Sequence, residues 1–158
     1  MRGSPLVPLF LTVFVDVLAF SLMIPILPYY ATHFGASPFV ASSLVTVFAV
    51  CQLVSGPFLG RWSDKVGRKP VLLGSQVGTL VAFVLLAVAD QLWMLFASRI
   101  VAGLTAGNLT IAQAYISDVT RPENRTKAYG LIGISFGIGF LVGPAASGAL
   151  AKAYGYSA

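Results

Sequence analysis

Apolar positions in this sequence come in blocks much longer than one amphipathic face. Residues 6–30 are apolar apart from Asp16, and residues 39–60 carry no charge. Residues 71–89 follow, then 92–117 interrupted only by Arg99, then the charge-free stretch 128–151. A helix rises about 1.5 Å per residue and a bilayer core is about 30 Å thick, so about 20 apolar residues cross it. Lipid satisfies no backbone groups, which leaves the helix as the structure for such blocks. The pattern predicts an all-α, multi-pass transmembrane helix bundle of five spans.

The connections alternate in character. Residues 33–38 (His33-Phe-Gly-Ala-Ser-Pro38) and 89–91 (Ala89-Asp90-Gln91) contain no Lys or Arg. The second-to-third connection holds Arg61, Lys65, Arg68 and Lys69, and the fourth-to-fifth holds Arg121, Arg125 and Lys127. Of the ten Lys and Arg residues, all but the intramembrane Arg99 and Lys152 therefore fall on one side, Arg2 included. The positive-inside rule predicts a cell-membrane protein with its N-terminus and both basic connections in the cytoplasm. Five spans then place the C-terminus of this chain outside.

Composition agrees. Of the 158 residues, 57% are hydrophobic and 9% charged, against roughly 25% charged in a soluble domain. The net charge of +5 lies beside apolar runs rather than on a basic face, so no nucleic-acid partner is expected. Cys51 stands alone, which excludes an intramolecular disulfide. No metal-ligand cluster or phosphate loop is present, and no cofactor or metal is expected. The first apolar run is long enough to span and lacks a small-residue cleavage site, unlike a cleavable signal peptide.

Charges within the spans are the first candidates for chemistry. Asp16 lies about 15 Å along the helix from Leu6, and Arg99 lies about 10 Å from Leu92 at the outer edge. These depths are similar. The two residues fit a structural ion pair or, alternatively, an ion or substrate pathway with Asp16 as a proton-titrating carboxyl. Asn108, Thr110 and Gln113 on the fourth span fit a wet interior face or interhelical hydrogen bonds; Gln52 and Gln76 are further cases.

The basic connection reads Gly60-Arg-Trp-Ser-Asp64-Lys-Val-Gly67-Arg68-Lys69-Pro70. Here Gly60 is expected to let two helix ends meet, Gly67 to permit a left-handed turn and Pro70 to start the next helix. Asp64 precedes Arg68 by one helical turn and lies near the N-terminus of span three, where an anion is favoured. Asp118 ends span four, where the helix dipole disfavours a carboxylate, so a cationic partner is expected, Arg68 or Arg125. Span five repeats small residues one turn apart at 133/137, 139/143, 143/147 and 144/148, a pattern for close helix packing, with a kink expected at Pro144.

At these residues the sequence resembles the major facilitator superfamily, and within it the twelve-span drug:proton antiporters that include tetracycline efflux proteins. Residues 60–69 match the loop signature G-x-x-x-D-[RK]-x-G-[RK]-[RK]. Ser98-Arg99-Ile-Val-Ala-Gly103 with Gly107 is similar to the fourth-span arginine motif. Gly139-Phe-Leu-Val-Gly143-Pro144-Ala-Ala-Ser-Gly148 is similar to the antiporter motif G-x-x-x-G-P-x-x-G-G, with Ser147 in place of glycine. Asp16 and Ile24-Pro-Ile-Leu-Pro28 resemble the family's first-span pattern. The resemblance implies a conformational charge relay of Asp64, Arg68 and Asp118, proton coupling through Arg99 with Asp16 as partner carboxyl, and a sealing role for the fifth-span motif. It also implies a transporter that moves small organic molecules or drugs with protons, and two six-span halves. Five spans amount to an incomplete N-terminal half, with the missing C-terminal half as its partner.

Two other readings are open to the residues. Gly133-Ile-Ser135-Phe-Gly137 has the G-x-S-x-G form of a hydrolase, although that motif needs a strand–turn–helix setting. A small self-contained dimeric exporter or channel is the other.

Overall fold

The structure, a computed structural model, is described for residues 6–154, so Arg2 lies outside the described part. It consists of α1 (Leu6–His33), α2 (Pro38–Val66), α3 (Arg68–Ala87), α4 (Leu92–Thr105), α5 (Asn108–Val119), a 3-10 turn (Pro122–Asn124) and α6 (Arg125–Tyr154). No strand occurs among the described residues. Five stretches are long and apolar enough to cross a membrane, α4 and α5 together forming the fourth, Leu92–Val119. Large apolar side chains cover their outer surfaces, with Phe39 83% and Leu53 77% exposed, as lipid-facing positions are.

The helix ends refine the boundaries read from hydropathy. Helix α1 runs on to His33, so His33 ends a helix rather than lying in the connection. Gly35, at φ 73°, closes a Schellman motif in which Ala36 N donates to Ala31 O and Gly35 N to Thr32 O, both at 2.9 Å. Ser37 then caps α2 by accepting from Val40 N at 3.4 Å, with Pro38 in the first helical position.

The basic connection is a correction to the hydropathy reading. Helix α2 continues through Gly60 to Val66, α3 begins at Arg68, and Gly67 alone joins them. Gly67 has φ 104° and ψ 154°, a region essentially restricted to glycine. Its positive φ meets the expectation of a turn, although ψ is extended rather than left-handed helical. Gly60 has open space where a side chain would project, so it marks no close helix contact. Pro70 lies in the first turn of α3 rather than at its start.

The chain packs as two compact units, one comprising α1 up to Ile26, α5 from Ala112 and α6, the other comprising Leu27–Ile111. In the second, α4 packs against both α2 and α3. Glycines allow the approach. A Cβ at Gly103 would lie 2.6 Å from both Cys51 Cβ and Phe48 O, one at Gly78 would meet the Thr105 side chain, and one at Gly107 would lie 2.7 Å from Leu59 Cδ1. Leu44, Ala82 and Leu95 are fully buried in this unit.

In the first unit, Leu9, Val13, Val17 and Ser21 form the buried stripe of α1. The buried stripe of α6 is Ser135, Gly139, Gly143 and Ser147. A Cβ at Gly139 would lie 2.7 Å from Val17 Cγ1, and one at Gly143 would lie 2.6 Å from Ser21 Cβ. Phe20 and Phe140 meet edge to face beside this contact. Gly139 and Gly143 lie at this close approach, whereas Gly133, Gly137 and Gly148 face open space. Helix α6 continues through Pro144.

Candidate functional site

The corner between α2 and α3 is built by Gly67. Its one-residue turn sets Asp64, in the last turn of α2, against Arg68, in the first turn of α3. Arg68 Nη2 lies 2.6 Å from Asp64 Oδ1, and Arg68 Nη1 donates to the buried Ser63 Oγ at 2.6 Å. The side chain of Asp64 is 59% exposed and that of Arg68 17%. The pair contributes modest stability, because solvent screens it, but it orients a guanidinium firmly. Arg61, Lys65 and Lys69 surround it as exposed cations. Ser63 is a participant that sequence reasoning passed over.

Arg99 lies on α4, the helix that packs against both α2 and α3, and is 5% exposed. Among the described residues its one hydrogen bond runs from Nε to Ser98 Oγ, at 3.5 Å. A guanidinium carries five N–H donors, so this cation lies within an apolar span with little of its donor capacity used by protein. Asp16 is half-buried midway along α1, in the other unit.

The fourth span is not the continuous helix its hydropathy predicts. No helical turn spans Ala106–Gly107. Ala106 N bonds back to Gly103 O at 3.2 Å, Gly107 N to Thr105 O at 2.8 Å, and Ile111 N to Gly107 O at 3.0 Å restarts the ladder. The Thr105 hydroxyl turns back to Val101 O at 2.8 Å and Ala102 O at 3.3 Å. Helix α2 supplies two further donors: Ser55 Oγ to Gly103 O at 2.9 Å, and Gln52 Nε2 to Ala106 O at 3.4 Å. Gln52, expected to line a cavity, is thus engaged with the backbone of α4. Asn108, 5% exposed, begins α5. Gln113 is exposed, and its carbonyl accepts from the Tyr129 hydroxyl at 3.3 Å.

At the far end of α5, Arg125 Nη2 donates to Ser117 O at 2.8 Å and Nε to Thr120 O at 3.3 Å. Arg125 therefore caps the carbonyl end of the helix, where a cation is favoured. Asp118 is exposed in the last turn of the same helix.

The G-x-S-x-G stretch does not form a nucleophile elbow. Gly133-Ile-Ser135-Phe-Gly137 lies inside unbroken α6, and the fully buried Ser135 donates to Leu131 O at 3.0 Å. Neither the strained turn nor the exposed hydroxyl of a nucleophile elbow exists there.

Five apolar spans, a buried intramembrane arginine and a tight basic corner define a multi-pass membrane protein. The chain belongs to the Major Facilitator Superfamily, whose pattern it matches over residues 9–158. Among its relatives is the class H tetracycline resistance protein of Pasteurella multocida, 37% identical over 153 residues, covering 95% of this chain and 38% of that protein. The class B tetracycline resistance protein of Escherichia coli is 36% identical over 151 residues, covering 94% and 37%. Solute carrier family 67 member A1 of Homo sapiens is 36% identical over 135 residues, covering 82% and 32%. The chain spans less than two-fifths of the length of each of these relatives.

Proposed function

We propose that this chain is the N-terminal part of a proton-coupled exporter of small organic molecules, tetracycline-like drugs among them, with a second half completing the substrate cavity. The N-terminus and the basic corner face the cytoplasm, in keeping with the distribution of Lys and Arg. Asp16 titrates with protons entering from outside, and Arg99 is its electrostatic partner. Asp64, Arg68 and Asp118 form a cytoplasmic relay that favours the outward-facing state, and Gly60, Gly67, Lys69 and Arg125 are assigned to the same relay. Asn108 and Gln113 border the substrate path.

One observation carries this reading. Arg99 is a cation buried in an apolar span and held, among the described residues, by one long hydrogen bond to Ser98 Oγ, a costly arrangement that marks ion and substrate pathways. The test is Asp16→Asn in the complete transporter that carries this segment, assayed by tetracycline uptake into inverted membrane vesicles under an imposed pH gradient. Proton-driven uptake is expected to vanish while substrate exchange without a gradient persists. Undiminished proton-driven uptake in the variant would remove Asp16 from the mechanism.

A further inference from the structure

A break inside a membrane span has to be held, because unwound amides and carbonyls find no partners in lipid. No proline stands anywhere in residues 92–119. Ala106 and Gly107 are both free to continue a helix, so covalent geometry does not impose the interruption. Side-chain hydrogen bonds from α2 lie at the interruption instead. Two of the carbonyls at the break, Gly103 O and Ala106 O, take side-chain donors from α2, Ser55 and Gln52. Gln52 and Ser55 are three residues apart on one face of α2, aligned along the unwound segment. The hydrogen bond from Ser55 is buried.

We propose that Gln52 and Ser55 are positioning residues that hold the fourth span unwound at Ala106–Gly107, and so set the orientation of the turn bearing Asn108 relative to the turn bearing Arg99. This rests on reading the protein as a transporter. The span is then a two-state element. In one state it is broken and bonded to α2. In the other, Gly107 N returns to Gly103 O, the amides of Asn108, Leu109 and Thr110 recover helical partners, and Gln52 and Ser55 are released. An unwound span leaves those amides in the first turn of a helix, where the helical ladder supplies no acceptor. A closed span protects them.

The experiment compares the complete transporter with its Ser55→Ala and Gln52→Leu variants, singly and together, by amide hydrogen exchange in lipid nanodiscs and by uptake kinetics. Losing the hydrogen bonds from α2 is expected to slow exchange at Asn108, Leu109 and Thr110 by tenfold or more as the helix closes. Turnover is expected to fall roughly three- to tenfold for each hydrogen bond lost, with KM unchanged within about twofold. Ser55→Thr, which keeps the hydroxyl, restores both. A merely structural role has the opposite sign, since loosened packing speeds exchange. Unchanged or faster exchange at these amides would overturn the proposal, and so would slowed exchange with normal turnover. Should the double variant not fold, Ser55→Ala alone decides by the same criteria. If the unmodified transporter moves no substrate under any gradient, the transporter reading fails, while the exchange data still decide what holds the break.

Discussion

Replacing Gly143 by alanine tests the packing of α6 on α1 most directly. An added Cβ would lie 2.6 Å from Ser21 Cβ and 3.0 Å from the Ser21 carbonyl carbon, and would also press on Ser21 Oγ. Carbon atoms rest about 3.5–4.0 Å apart, so the deficit is about 1 Å. The Ser21 hydroxyl can rotate away; its Cβ and backbone cannot, and α1 has to back off along the contact. Such overpacking costs about 1–3 kcal/mol. Against it stands the gain of up to about 1 kcal/mol for alanine over glycine within a helix. Gly143→Ala is therefore expected to destabilise the protein by about 1–2 kcal/mol. Gly137→Ala and Gly148→Ala, which meet open space, are expected to stabilise it by about 0.5–1 kcal/mol. Thermal unfolding of the complete protein in one fixed detergent measures the contrast, and its opposite signs make it robust to detergent effects. Adding Ser21→Gly to Gly143→Ala relieves the two closest contacts and should recover part of the loss. If Gly143→Ala were as stabilising as Gly148→Ala, the close approach of the two helices would be wrong.

Three further outcomes follow from the geometry. Gly67→Ala places a Cβ at φ 104°, ψ 154° and should cost about 1–3 kcal/mol from backbone strain alone, whereas Gly60→Ala, which meets open space within α2, should stabilise by about 0.5–1 kcal/mol in the same unfolding assay. Arg125→Gln removes a charged cap from Ser117 O and Thr120 O; a loss of about 1–2 kcal/mol and faster amide exchange at the end of α5 are expected, and unchanged exchange would count against the cap. Asp64→Asn breaks a largely exposed pair, so stability should change by less than about 1 kcal/mol while uptake slows severalfold. Normal uptake rates would exclude the ion pair from the transport cycle.

The existence of the spans was legible because membrane crossing is a property of composition over a length, and five charge-poor blocks in one chain leave little alternative. Their ends depended on local signals. Gly35, Ser37 and Pro38 announce the end of α1 and the start of α2, yet hydropathy alone places His33 in the connection. The stretch from Arg61 to Val66 is polar enough to look like a loop and is nevertheless helical, because α2 continues until Gly67 adopts its special conformation. The interruption at Ala106–Gly107 leaves no mark in the fourth span itself. It depends on Gln52 and Ser55, which lie on another helix, so only tertiary structure brings it into view. In α6 the difficulty is reversed: several series of small residues have the right spacing, and nothing local distinguishes 135/139/143/147 from 133/137 or 144/148. The partner stripe on α1 makes the choice. Asp64 and Arg68 were legible as a pair because their spacing survives the single-residue turn between them.

That single-residue turn also constrains how the protein can vary in length. An α-helix advances about 100° per residue, so one residue added to or removed from the corner would rotate α3 by nearly a third of a revolution. Val71, Ser75, Ala82 and Leu86, now inside the unit, would swing toward the acyl chains, and leucines now bathed in lipid would turn inward. Insertions have room at residues 88–91 and 120–121, where irregular backbone can take up an extra residue. The Gly67 corner has no such slack, and its residue count is as much a structural requirement as the glycine itself.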